Sequence, residues 1–218
     1  MTSVLEEEVK PRLRGWLHTA VFPLSVAAGI VLIVLAPNTS GVVAAGVYAV
    51  TSTLLFGVSG YYHRRDHSPR VENLLRRLDH SNIYLIIAGT YTPFAVLALD
   101  GASRLAVLLI IWIGAAAGVV FRTVWMGAPR WLYTSLYIGL GWVAVFFIPQ
   151  FIAGVGLAAV ILVFAGGVLY SVGGVVYGLK RPDPSPTWFG FHEVFHTFTI
   201  AAWVCQYSAV VLVVLAAR

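Results

Sequence analysis

The stretch FGFHEVFHTF near the end of the chain contains His192, Glu193 and His196 in the spelling H-E-x-x-H. Residues four apart share one face of a helix, so two imidazoles in this pattern can bind one metal ion. In soluble metalloproteases the pattern marks a zinc site whose glutamate is the general base. Zinc needs a further protein ligand, but no His, Asp or Glu follows His196. The pattern therefore predicts a metal site completed from elsewhere in the chain; a packed, hydrogen-bonded histidine pair is the alternative.

The composition predicts that this motif lies in a membrane protein. The 218 residues are 59% hydrophobic and 11% charged, with a mean hydropathy of +0.86, whereas soluble domains are about 25% charged. Apolar runs of about 18 residues or more can cross a bilayer core as helices. We predict an all-α integral membrane protein: one seven-transmembrane helix bundle over 16–218, preceded by a short cytosolic arm, 1–15. The predicted spans are 16–36, 42–62, 79–99, 104–122, 131–149, 152–178 and 192–216.

The basic residues predict how the bundle is oriented. Twelve of the fourteen lysines and arginines precede the first span or follow spans two, four and six, and only Arg104 and Arg218 fall on the other side. By the positive-inside rule the N-terminus is cytosolic, and an odd number of spans places the C-terminus outside. The acidic and then basic opening, followed by a long apolar run, does not resemble a signal peptide. We expect a multi-pass protein of the cell inner (plasma) membrane with no nucleic-acid partner.

This topology brings ionisable residues from three spans to one depth on the cytosolic side. His63 ends span two, Asp79 opens span three, and His192 and His196 open span seven. Ionisable groups are costly in hydrocarbon, so they face the bundle interior and find partners or a metal. His63 is thus the candidate third imidazole. Asp79 is close enough in depth to bind or orient a water molecule in a fourth position.

Other polar residues near this depth have ordinary explanations as well. We interpret His18, His67 and His80 as headgroup-level or hydrogen-bonding histidines, with His67 solvated in a polar connector. Ser59 lies one turn before His63 and either donates to the site or bonds its own helix backbone.

Two acidic residues belong to the entry of span seven. Glu193 points about 80° away from the mean direction of the two histidines, given about 100° per helical residue. It therefore flanks the site or faces the neighbouring connector. Asp183, in the stiff connector KRPDPSPTWFGF, is expected to cap or position the start of span seven.

The chain resembles the hemolysin III branch of the progestin and adipoQ receptor (PAQR) family, from PRLRGWLH to the last span. The carriers are Ser59-x-x-x-His63, the stretch RRLDHSNIYLIIAGTYTPF with Asp79, and GFHEVFH with His192 and His196. The resemblance implies a seven-helix fold with a cytosolic N-terminus, in a wider group that includes alkaline ceramidases. It further implies zinc held by His63, His192 and His196. Asp79 and Ser59, near the zinc-bound water, are then the candidate catalytic residues.

These residues support several functions. The first is a zinc-dependent hydrolase of a membrane-lipid amide bond, with zinc polarising the carbonyl, Asp79 as base, and a cavity open to the inner leaflet for the acyl chain. The second is a non-catalytic regulator or sensor of membrane lipid or energetic homeostasis, in which zinc is structural. A lytic pore is a weaker hypothesis, because away from the cluster the spans carry no ionisable residue at mid-membrane. Protease activity is the least favoured, for want of a third ligand after H-E-x-x-H.

Overall fold

The computed structural model describes residues 10–218, so most of the predicted arm lies outside the described part. The described residues form seven α-helices and one 3₁₀ segment, Trp142–Phe147. The helices are α1 (Trp16–Leu35), α2 (Thr39–Arg64), α3 (Pro69–Ala98), α4 (Gly101–Val124), α5 (Arg130–Gly141), α6 (Ile148–Leu179) and α7 (Phe191–Ala216). The predicted class, an all-helical integral membrane bundle, is confirmed.

The helices differ in how deeply they are enclosed. In α3, 61% of the most apolar window is buried, and in α2 and α7 44%, whereas α1 and α4 reach 22%. Exposed faces carry large apolar side chains such as Val34, Val124 and Phe146, which suit contact with lipid rather than water. The three helices predicted to carry the site are therefore the ones most shielded from lipid.

The predicted fifth and sixth spans form one helical stretch, Arg130–Leu179, of 50 residues. Six described stretches are consequently long and apolar enough to cross a membrane, one fewer than the seven runs predicted from hydropathy. The regular backbone is interrupted at Gly156, whose φ of 81° lies in the left-handed region. This interruption lies several residues after the predicted gap at 150–151, because hydropathy does not register a local backbone change. The number of crossings made by this stretch stays a prediction.

Contacts within this stretch pair its two parts in reverse order. Thr134 lies beside Gly174, and the indole N–H of Trp142 donates to Ser171 Oγ at 2.9 Å. The Trp142 ring also packs against Phe164, with centroids 5.6 Å apart. Later residues of the first part therefore contact earlier residues of the second part. The two parts thus run in opposite directions, as in an antiparallel helix pair.

A tyrosine from α3 supports the change of helix type after α5. The Tyr91 hydroxyl donates to the Gly141 carbonyl and accepts from the Ala144 N–H, both at 2.6 Å. A backbone group released from the regular helix is expensive in a bilayer unless a protein group satisfies it. Tyr91 thereby stabilises an irregular segment that lines the interior of the bundle.

Helix α3 begins ten residues before the predicted start of its span. Ser68 and Pro69 are a typical helix start, since proline is tolerated in the first turn where its missing N–H costs nothing. The turns over 69–78 are too polar for a hydropathy window to include them. The connector from α2 is therefore short, and it holds α3 close to the end of α2.

The chain segment before α1 packs on the same end of the bundle. The N–H groups of Arg12 and Leu13 donate to the carbonyls of Thr187 and Trp188 at 3.0 and 3.2 Å. Gly15 has a φ of 78°, and a Cβ there would lie 2.9 Å from the Cβ of His63. The segment thus joins the α6–α7 connector to the last turn of α2.

Candidate metal centre

Three histidines from two helices meet inside the bundle. His63 lies in the last turn of α2, while His192 and His196 lie one turn apart at the start of α7. Each offers one ring nitrogen, and these atoms all lie within 4.8 Å of one another. The Nε2 atoms of His63 and His192 are 3.2 Å apart, and His196 is 2% exposed. The predicted set of three imidazoles is therefore brought together.

The donor set fits a metal ion. Two nitrogens bound tetrahedrally to zinc at about 2.0 Å lie about 3.3 Å from each other, close to the His63–His192 separation. Three imidazoles with a remaining open position are the arrangement of a catalytic zinc site. Zinc itself remains a prediction at this site.

Asp79 and Ser59 lie beside the histidines. Asp79 Oδ2 is 3.6 Å from His63 Nε2, and the buried Ser59 hydroxyl faces the same carboxylate. His80 accompanies them at the rim, with its Nδ1 2.9 Å from the Arg76 carbonyl. His80 is thus a hydrogen-bonding residue, as interpreted from the sequence, and the Asp79 carboxylate lies next to the His63 imidazole.

Glu193 is turned away from the three imidazoles. Its carboxylate accepts from Arg14 Nε at 2.6 Å and from the Gly190 N–H at 2.9 Å, and the residue is 1% exposed. Asp183 completes this helix start by accepting the Phe191 N–H at 2.7 Å. Both acidic residues therefore fix the entry of α7, and Glu193 is tied to the segment before α1.

His18 lies in the site rather than at headgroup level. It is 2% exposed, and its ring stacks on His196 with centroids 3.7 Å apart and an interplanar angle of 4°. The interpretation of His18 as a headgroup-level residue was wrong, because α1 starts at Trp16 and carries this side chain inward. His67, by contrast, lies in the α2–α3 connector, away from the cavity, with its Nε2 3.4 Å from the Tyr61 carbonyl.

An elongated cavity extends from the histidines into the bundle. Its volume is about 370 Å³, and it is bounded by α1, α2, α3, α5, α6 and α7. Its polar end contains the histidine group with Ser59 and Asp79. Its long wall is mainly apolar and aromatic, and includes Ile83, Ile87, Phe94, Phe151, Val160 and Phe164. The cavity therefore joins one polar, chemically active end to a lipophilic channel.

Two residues of this cavity were missed by the sequence interpretation. The sequence does indicate that His18 lies near the site, since it is at the start of the first span, on the same side of the membrane as the other histidines. The sequence gives no such indication for Tyr91, because its role depends on a local 3₁₀ segment that hydropathy does not predict.

Comparison with known proteins relates this chain to one family. The profile of the family described as haemolysin-III related matches residues 7–207. The chain is 34% identical to "Hemolysin-3" of Bacillus cereus over 218 residues, which covers 99% of this chain and 95% of that protein. It is 31% identical to "Hemolysin-3 homolog" of Bacillus subtilis (strain 168) over 190 residues, 86% of each chain.

Fold and sequence together define a multi-pass helical membrane protein with a buried group of three histidines. The chain belongs to the haemolysin-III related family. The predicted membership of the hemolysin III branch is thereby confirmed, and its bacterial relatives fit a location in the plasma membrane.

Proposed function

We propose that this protein is a zinc-dependent hydrolase that cleaves the amide bond of a membrane lipid. The observation that carries the proposal is the position of three imidazoles and the Asp79 carboxylate at one end of an elongated apolar cavity. A metal site alone would suit many reactions. A metal site that opens into a lipophilic channel suits a substrate with one polar reactive group and a long chain.

The channel is long enough for an acyl chain. Asp79 and Phe94 both line it and lie fifteen residues apart on α3, a distance of about 22 Å along a helix. An acyl chain can leave the bilayer for such a wall at little cost, because both surroundings are apolar. The seated chain would then place the amide group of the lipid beside the histidines.

The chain's own residues would divide the chemistry between them. His63, His192 and His196 would hold the zinc ion, which supplies Lewis acidity toward a carbonyl oxygen and activates water. Asp79 would take a proton from the attacking water as general base and return it to the leaving nitrogen as the C–N bond breaks. The products are a fatty acid and an amine. Ser59 would hold the Asp79 carboxylate in position by hydrogen bonding.

We propose seven membrane crossings, with the N-terminus in the cytosol and the C-terminus outside. The stretch Arg130–Leu179 has 50 residues and would extend about 75 Å as a straight helix, whereas the bilayer core is about 30 Å thick. Its reversed contacts and the interruption at Gly156 support two crossings. The twelve-to-two distribution of basic residues then supports a metal centre near the cytosolic face.

A regulatory role with structural zinc is the second candidate. Its support is that the ligands come from the end of α2 and the start of α7, so a bound ion would fasten these two helices together. Lipid analysis of a deletion strain separates the candidates. Accumulation of one lipid amide favours the hydrolase, whereas unchanged lipids with an altered membrane potential favour the regulator.

The direct test is a hydrolysis assay in liposomes that contain a long-chain lipid amide. We expect release of fatty acid by the purified protein, loss of release on chelation, and recovery when zinc is restored. His63→Ala should be inactive, while His67→Ala, which removes a histidine outside the cavity, should match wild type. Release that is insensitive to chelation, or equal in His63→Ala, would refute the proposal.

A further inference from the structure

His18 is a fourth imidazole at the metal centre, outside the group of three that can share an ion. It lines the same cavity, is 2% exposed, and has no hydrogen-bond partner at either ring nitrogen among the described residues. A buried polar group without a partner costs about 1–3 kcal/mol. Such a cost at a cavity wall is expected where a ligand or water completes the hydrogen bond.

The packing around His18 fixes the direction of its ring. One face stacks on His196, with ring centroids 3.7 Å apart, and Phe56 makes a T-shaped contact with the ring, with centroids 5.1 Å apart and an interplanar angle of 89°. Phe56 in turn packs against Trp203 of α7, with centroids 5.2 Å apart. The ring is thus held between α2 and α7, so it is preorganised rather than free to seek another partner.

We infer that His18 is a specificity-determining residue that donates an N–H hydrogen bond to the carbonyl oxygen of the lipid in the cavity. A neutral imidazole carries one N–H donor, and the stack with His196 keeps this donor beside the metal ligands. This inference rests on the proposed function, because it assumes a lipid with a carbonyl group at the polar end.

The test distinguishes the contribution of the ring nitrogens of His18 to binding from the contribution of its aromatic ring. His18→Phe keeps an aromatic ring against His196 and removes both nitrogens, while His18→Leu removes them at similar volume. His67→Phe makes the same change outside the cavity. The probes are a long-chain methyl ketone, which has a carbonyl but no cleavable C–N bond, and an alkane of equal length, each with a fluorophore at the far end.

Zinc content and probe affinity are measured on the zinc-loaded protein in detergent. We expect His18→Phe and His18→Leu to bind the ketone about five- to tenfold more weakly than wild type, the effect of one hydrogen bond. Affinity for the alkane should be unchanged in both variants. His18→Phe should also retain its zinc, since it keeps the ring that supports His196, and His67→Phe should match wild type throughout.

Three outcomes would overturn the inference, and they have different meanings. Ketone binding by His18→Phe and His18→Leu equal to wild type would show that the nitrogens do not contact the carbonyl. Loss of zinc from His18→Phe would make His18 part of metal binding instead. A wild-type protein that binds ketone no better than alkane would refute the lipid-carbonyl hydrolase itself, and the inference with it.

Discussion

At the residue scale, two carboxylates are candidates for the general base of the proposed hydrolysis, and their surroundings differ. Asp79 lies 3.6 Å from His63 Nε2 at the polar end of the cavity. Glu193 is buried in an ion pair with Arg14 and accepts the Gly190 N–H. The two histidines of the H-E-x-x-H motif are therefore candidate metal ligands, whereas its glutamate stabilises the start of α7.

Exchange of each carboxylate for its amide tests this assignment. Asp79→Asn should abolish fatty-acid release, because an amide cannot act as base, while zinc affinity falls at most about 10–100-fold. Glu193→Gln should keep both zinc and hydrolysis. Zinc content and turnover are measured on the two variants side by side. An active Asp79→Asn together with an inactive, zinc-loaded Glu193→Gln would restore the protease-like mechanism.

At the element scale, the segment before α1 packs by its backbone against the last turn of α2, which carries the candidate metal ligand His63. Gly15 adopts a left-handed conformation, and a side chain there would meet His63 and Arg64. The same conformation occurs at Gly101, where a Cβ would meet nothing within 4 Å. Substitution of Gly101 therefore tests backbone strain alone, whereas substitution of Gly15 adds crowding of His63, a candidate metal ligand.

Alanine substitution at both glycines is expected to give different results. Each variant should lose about 1–2 kcal/mol of stability from the left-handed backbone. Only Gly15→Ala should also lower zinc affinity, because the new methyl group displaces His63. Thermal unfolding and zinc titration in detergent measure the two effects. Equal zinc affinity in both variants would show that this contact does not position His63.

The 3₁₀ segment between α5 and α6 depends on Tyr91. Tyr91→Phe removes a hydroxyl that satisfies two backbone groups, and we expect a loss of about 1–3 kcal/mol in stability. Tyr61→Phe, at a residue that is 49% exposed, should change stability little. Unfolding in detergent compares the variants, and equal midpoints for both would contradict the role given to Tyr91.

The candidate metal-binding residues could be predicted from the sequence, whereas the local structure that positions them could not. His63, Asp79, His192 and His196 could be predicted because each is an ionisable residue at the end of an apolar run. The break at Gly156 and the early start of α3 at Pro69 could not, since they depend on local backbone geometry rather than hydropathy. The depth of His18 could be predicted from its place at the start of the first span, but its inward direction could not, because α1 carries apolar residues on every face.

At the scale of the whole molecule, the proposed seven crossings can be tested with engineered cysteines. The native chain has one cysteine, Cys205, so Cys205→Ser gives a background without thiols. Leu157→Cys, beside the interruption, should react with an impermeant maleimide added to intact cells. Gly127→Cys, in the connector between α4 and α5, should react only after permeabilisation. Protection of both positions in intact cells would indicate that 130–179 does not cross twice.

The claim on which the whole account depends is that α2 and α7 jointly bind one metal ion, and zinc content measures this directly. Purified wild-type protein should carry about one zinc per chain, as should His67→Ala. His63→Ala should lose most of its zinc, because only the two imidazoles of α7 remain as protein ligands. Full zinc occupancy in His63→Ala, or wild-type protein without zinc after metal loading, would contradict the account.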